Sequence, residues 1–312
     1  MQFLNPKTDF AFKKIFGSPQ SKPILTSFLE ALLYGEQQVI VDLDILDPYQ
    51  APKLTGWKDT YLDIKAKLAD GTVVIIEMQV LNVESFEKRI LYNAAKAYSL
   101  QLVKGQKYHL LYPVIALTIT DFEMFPEGTK IISRYALREQ DSQVAYCPGE
   151  FELVFVELPK FKKSLADLET LTEKWLFFLK YARTLTDVPP SLGEVDAIDQ
   201  AFAVANQSNF SPEELEDHEK REIFIWDQRN AMIKAEKTGL KRGLAEGLKQ
   251  GIEQGLQQGI EQGREQGLQE GKYQTALAIA RQLLNVLDAQ TISQKTGLAI
   301  AEIEQLKASH LN

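Results

Sequence analysis

The pattern of apolar and polar positions divides the chain into a mixed front half and a helical back half. Asp9 to Phe16 carries apolar residues at helical spacing, with Thr8 placed to cap it and Gly17 to stop it. Ser21-Lys-Pro opens a second predicted helix, which runs through Phe28, Leu29, Leu32 and Leu33 to Gly35. Val39 to Leu46 is rich in β-branched residues and predicts a strand. Asp47 to Asp59, broken by Pro48, Pro52 and Gly56, predicts a loop. Glu84 to Lys104 has amphipathic helical spacing and ends at Gly105. Pro113 to Thr120 is apolar almost throughout, as in a strand buried on both faces. Ile131 to Arg138 and Phe151 to Leu158 are further strand candidates. Helical patterns then cover Leu165 to Arg183, Gly193 to Asn206 and a segment opened by Ser211-Pro-Glu-Glu.

Between the first loop and the long amphipathic helix lie two β-rich runs, Tyr61 to Leu68 and Thr72 to Gln79, joined by Ala69-Asp70-Gly71. A two-residue Asp70-Gly71 turn would pair Ala69 with Thr72 and place Glu77 on the face opposite Asp63. A three-residue turn with Gly71 in the left-handed region pairs Leu68 with Thr72 instead and sets Asp63 across from Glu77. In that register Leu62, Ile64, Ala66, Leu68, Val74, Ile76 and Met78 form a core face, and Asp63, Lys65, Glu77 and Gln79 share the other. Burial and chemistry select the same register. The alternative is an edge hairpin with a solvated polar face. Against it, Glu77 closes the run Val73-Val-Ile-Ile, where an unpartnered carboxylate would be costly to bury.

Composition narrows the classes. The 312 residues are 45% hydrophobic and 25% charged, ordinary for a globular chain with one sizeable core and an appended region. The only cysteine, Cys147, excludes an internal disulfide framework and fits a reducing cytoplasm. The first residues lack a signal-peptide pattern, and no run approaches the ~18 apolar residues of a membrane span, so the expectation is a cytoplasmic protein without a membrane partner. The formal charge of −8 argues against a dominant phosphate-binding surface, yet an acidic metal site with a local basic rim is compatible with it. His109, His218 and His310 are scattered, and no zinc site or histidine base is assigned.

Asp63 and Glu77 on one face could converge on a hard divalent cation, the arrangement that phosphodiester hydrolysis needs. Together with Pro6-Lys-Thr-Asp-Phe-Ala-Phe-Lys-Lys-Ile-Phe-Gly17, Leu62-Asp63, Gly71 to Ile76, Glu77-Met-Gln79, Arg89, Tyr92 and Gln101-Leu-Val-Lys-Gly105, they resemble the recombination-promoting nuclease and transposase family (Rpn) of the PD-(D/E)XK nuclease superfamily. The resemblance is close over roughly residues 1 to 125. It implies a restriction-endonuclease-like α/β fold, a mixed central sheet flanked by helices, and Mg²⁺-dependent cleavage of DNA. Asp63 and Glu77 would be metal ligands, with Gln79 where lysine usually stands. Leu62 replaces the motif proline, which only shapes the strand. Gln79 cannot carry positive charge, and Lys65, on the same face, is a candidate substitute. Gln101 is a candidate phosphate or water positioner. Asp9 is either a third metal carboxylate or a helix-start acid complementing the dipole. Lys13 and Lys14 are either phosphate contacts or a solvated face.

Glycine recurs every fourth residue from Gly239 to Gly271, with Leu or Ile usually following. Each glycine costs ~1 kcal/mol against alanine in a helix. Glycines four apart also let backbones approach closely. The stretch is therefore either a long helical arm through which the chain self-associates or a disordered tether. Beyond it, Thr291 to Leu306 resembles a helix-turn-helix. Its second helix holds Glu302 and Glu304 without arginine, poor chemistry for a groove reader, so a packing hairpin is expected. The expected organisation is a nuclease domain over 1–160, a helical region over 161–235, a glycine-repeat arm over 236–272 and a helical hairpin over 273–312. The expected function is an Mg²⁺-dependent DNA endonuclease acting in DNA mobility or defence. The alternative is a degenerate nuclease fold serving as a DNA-binding or oligomeric interaction module.

Overall fold

The computed structural model describes residues 2–50 and 60–310 and divides into two compact units, 1–231 and 232–312. In the first, Thr8 accepts the Ala11 N–H and starts α1 (Asp9–Phe16), and α2 (Lys22–Leu33) follows. Then come β1 (Leu43–Leu46), β2 (Tyr49–Gln50), β3 (Thr60–Tyr61), β4 (Ile64–Leu68), β5 (Val73–Gln79), α3 (Phe86–Ser99) and β6 (Val114–Thr120). β7 (Ile132–Ala136) and β8 (Phe151–Glu157) complete the strands. α4 (Leu171–Tyr181), α5 (Pro190–Gly193), α6 (Asp196–Ala205) and the start of α7 (Pro212–Leu283) follow.

The main sheet has six strands in the order β1-β4-β5-β6-β8-β7. It is mixed: β5, β6 and β8 run parallel, while β1, β4 and β7 pair antiparallel to their neighbours. Parallel β5 and β6 are joined through α3, and both central strands are covered on both faces. On one face Ile64, Ala66, Val74 and Ile76 meet α1, α2, α4 and α6, whose Phe12, Phe16, Phe28, Trp175 and Phe178 are fully buried. On the other, Val73, Ile75, Val114 and Ala116 meet Ala94 and Ala97 of α3.

The hairpin adopts the three-residue turn. Ile64 pairs with Ile76 and Lys67 with Val73, the Leu68 N–H bonds the Thr72 carbonyl at 2.9 Å, and Gly71 has φ +95°. Gly71 is required twice over, because a Cβ there would also lie 2.1 Å from the Tyr112 ring. Several bounds differ from the sequence pattern for identifiable reasons. β1 starts at Leu43 rather than Val39, because its partner β4 ends at Leu68 and offers nothing to pair with the exposed Val39 and Val41. The expected strand from Tyr61 is interrupted at Leu62-Asp63, where β3 turns away to pair with β2. That bend moves Leu62 off the expected core face and into the cluster under α3. α3 stops at Ser99, because both ends of the Gln101 amide bond the backbone of Tyr112. Most of the Asp47–Asp59 loop lies outside the described residues.

In the second unit α7 continues to Leu283 as one helix that includes the glycine repeat. Leu240, Leu244, Leu248, Ile252, Leu256, Ile260 and Leu268 are all exposed, and among the described residues nothing stands within 4 Å of where a Cβ would sit on any repeat glycine. Its last turns form a small core with α8 (Ala289–Thr296) and α9 (Ile300–His310) around Leu284, Ile292 and Ile303. Asp288 caps α8, and Gly297, at φ +76°, closes it.

Candidate active site

The register that pairs Ile64 with Ile76, extended by one residue, brings Asp63 to Glu77 at the carboxyl end of β5. Asp63 Oδ2 accepts the Met78 N–H at 2.7 Å, which fixes its carboxylate against the neighbouring strand. Glu77 is only 8% exposed. The Asn93 amide donates to its Oε1 at 3.0 Å, and the Arg89 guanidinium lies 4.0 Å from its Oε2. Arg89 and Asn93 sit one turn apart on α3, so a single helix face delivers both. Asp9, the first residue of α1, reaches the group through Lys13, whose Nζ lies 2.6 Å from Asp9 and 3.6 Å from Asp63. Arg221, near the start of α7, approaches Asp9 at 3.5 Å.

The electrostatics follow from this crowding. Burial, then the Glu77 charge, push the Asp63 carboxyl up to about 7, and Asp9 adds to the effect. Burial also raises Glu77, against the opposing pull of Arg89, Asn93 and Lys13. Burial opposes ionisation of Asp9 too, yet Lys13, Asp63 and Arg221 hold its carboxyl below the usual range. A buried and a largely buried carboxylate that resist ionising together form an electrostatic sink for a cation, and the Lys13 ammonium already occupies part of it. Hard oxygen donors of this kind suit Mg²⁺. Among the described residues no three or more acidic, histidine or cysteine side chains form a ready-made cage. A cation would take Asp63 and Glu77 and leave further positions to water and phosphate.

Gln79 is close by but engaged: its Nε2 donates to the Leu81 carbonyl at 2.8 Å, and its Oε1 accepts from Arg89 at 2.8 Å. Arg89 therefore brings positive charge to the position where the motif lysine would stand. Lys65 and Gln101 are placed differently from the expectation. Lys65 lies opposite Ile75, two residues before Glu77, and with Gln101 lines a separate groove. Two residues along a strand is about 7 Å, so sharing a face did not bring Lys65 to the carboxylates. Arg89, Asn93 and Lys13 were given no role at the carboxylates by sequence reasoning. The available signal was the Arg89/Asn93 spacing on a helix already expected to pack on the Glu77 strand.

A family model described as PD-(D/E)XK nuclease family transposase matches residues 6–235. The chain belongs to that family. The match runs well past residue 125, where the motif resemblance ends, and takes in the helices through the first turns of α7. No curated protein and no solved structure matches the chain. Membership places this PD-(D/E)XK protein among nucleases, a class that generally works with divalent metals. No helix among the described residues is long and apolar enough to cross a membrane.

Proposed function

We propose that this PD-(D/E)XK protein is an Mg²⁺-dependent DNA endonuclease, in keeping with a role in DNA recombination, transposition or defence within the cytoplasm. The observation that carries the reading is the pair formed by Asp63, largely buried just before β4, and Glu77, buried in β5, flanked by Lys13 and Arg89. Asp63 and Glu77 would hold the cation, and Asp9 would take up Lys13 when the ammonium yields its place. A bound divalent cation supplies Lewis-acid polarisation of the phosphate and a water acidic enough to attack at neutral pH. The Met78 N–H holds Asp63 in position, Asn93 orients Glu77, and Asp63 releases its proton as the site fills. Arg89, steadied by Gln79, stabilises charge on the phosphate in place of the motif lysine. The glycine-repeat helix is proposed to assemble copies of the chain.

One observation favours a second reading. Lys13 already neutralises part of the acidic cluster, as a degenerate site retained for DNA binding or for interaction would require. Conversion of supercoiled plasmid to nicked or linear forms in Mg²⁺, abolished by EDTA, is the result expected of the endonuclease. DNA binding without metal-dependent cleavage would replace it with the second reading.

A further inference from the structure

A groove of about 410 Å³ lies between the chain leaving α3 and the β1–β4 edge, lined by Leu46, Lys65, Lys67, Gln101, Gln106 and Tyr112 among others. Lys65 and Lys67 pair with Ile75 and Val73, so they share the sheet face that carries Glu77. They are spaced about 7 Å apart along β4. Among the described residues no hydrogen bond or close ion pair holds the Lys65 ammonium, which is half-buried, or that of Lys67, which lies 4.8 Å from the Tyr112 ring centroid; Asp47 and Asp44 act on them only through their charge. The acids at the rim are otherwise engaged: Asp44 is held by Lys22 at 2.8 Å and Asp47 accepts the Tyr49 N–H. Residues 100–112 form the other wall and contain Lys104, Lys107 and His109 but no acid. The Gln101 amide both donates to and accepts from the Tyr112 backbone, and the Tyr112 ring packs on Gly71, so this wall is fixed in place.

We propose that this groove binds the phosphate backbone of the DNA strand entering the carboxylate site, with Lys65 and Lys67 each contacting one phosphate. Unpaired ammoniums held in a groove are poised for polyanion binding, because a phosphate contact releases counterions that solution salt otherwise keeps condensed on the nucleic acid. Four residues of β5, about 13 Å, separate Val73 from Glu77. Lys65, opposite Ile75, is only about 7 Å along the strand from Glu77, so at ~3.4 Å per base step the two contacts fall about two and about four steps from the phosphate at the carboxylates. The inference rests on the endonuclease reading, but its test does not require cleavage.

Binding of a fluorescent DNA duplex to the full chain is measured by anisotropy in EDTA across a salt series. K65Q/K67Q is expected to lower the slope of log affinity against log salt by about 2 and to weaken binding at least about tenfold near 0.1 M salt. K65R/K67R should restore both, and K307Q, an exposed lysine on α9, should change neither. If the double variant proves misfolded by circular dichroism, K67Q alone, at an exposed position, should show about half the slope change. Unchanged affinity and slope in the lysine variants, an equal loss in K307Q, or no DNA binding by the wild type would overturn the groove. Plasmid cleavage in Mg²⁺, run in parallel, separates the two claims. Loss of binding in K65Q/K67Q with a wild type that never cuts keeps the groove and removes the nuclease. A wild type that cuts, with variants that bind normally, does the reverse.

Discussion

Strand β5 and the glycine-repeat stretch of α7 both follow simple sequence periods, and the fold treats them oppositely. In β5 the period of two is answered on both faces: Val74 and Ile76 meet one helical layer, while Val73 and Ile75 meet α3. Glu77 continues that second face, and its burial is matched by Asn93 and Arg89. In α7 the period of four is answered by nothing among the described residues, and the apolar residues of the repeat from Leu240 to Leu268 stay exposed. A four-residue repeat also drifts about 40° per repeat on a helix of 3.6 residues per turn, so the apolar stripe winds around the cylinder. A straight partner could not follow it far. A right-handed supercoil or several neighbours could. Regularity in sequence thus states that a face exists, and burial states whether this chain covers it.

The comparison breaks most visibly under truncation of a large side chain in each region. Trp175, fully buried against Phe16, Phe28 and Phe178, should cost about 3–5 kcal/mol on Trp175→Ala, read by denaturant unfolding of the first unit. Leu256→Ala should leave that transition within about 0.5 kcal/mol. If it lowers molar mass by light scattering, the stripe is an assembly surface. A large loss of first-unit stability from Leu256→Ala would show that the two regions are not as different as their burial indicates.

The next effect belongs to the first unit alone. With Asp63 raised to about 7, the metal-free folded state keeps a proton that the unfolded chain has already released above the ordinary carboxylate range. Stability should therefore fall as pH rises from that range to about 7 and level off above it. Thermal melts in EDTA should show this decline for the wild type and a flatter profile for Asp63→Asn. A wild type that gains stability across the same window would mean that Asp63 is ionised and its burial relieved by another cation.

The smallest expected effect lies in α7. Replacing Gly251, Gly255 and Gly259 by alanine should raise helicity, by stabilising the helix about 1 kcal/mol per site, since nothing among the described residues blocks the added methyl groups. If backbones of neighbouring copies meet along the glycines, the same variant should associate more weakly. Circular dichroism and light scattering on one sample separate the outcomes. Unchanged mass and unchanged helicity would leave no structural role for the repeat.

The hairpin register was legible because its turn length and its two faces gave the same answer, and the capping residues Thr8 and Ser211 marked helix starts. The carboxylate pair followed from that register. What α3 contributes was not legible, because helical spacing fixes which residues share a face and not which strand residue that face meets. Arg89 and Asn93 became site residues only through packing. Lys65 and Gln101 illustrate the converse: residue type suggested a role at the carboxylates, but position along the strand for Lys65 and a backbone partner for Gln101 put them in the neighbouring groove. The break at Leu62-Asp63 was hidden for a similar reason, since it depends on β2, a two-residue strand inside a segment whose prolines and glycine predict a loop.

On the proposed reading, Asp63 and Glu77 together make the chain a metal-dependent nuclease. Its most direct test is nicking of supercoiled plasmid in Mg²⁺ by the wild type, Asp63→Asn and Glu77→Gln, each first confirmed to be folded by circular dichroism. Cleavage by the wild type that EDTA removes is expected, with cleavage at background by both variants, since each loses one carboxylate oxygen and the negative charge without opening a core cavity. Wild-type rates in either folded variant would contradict it.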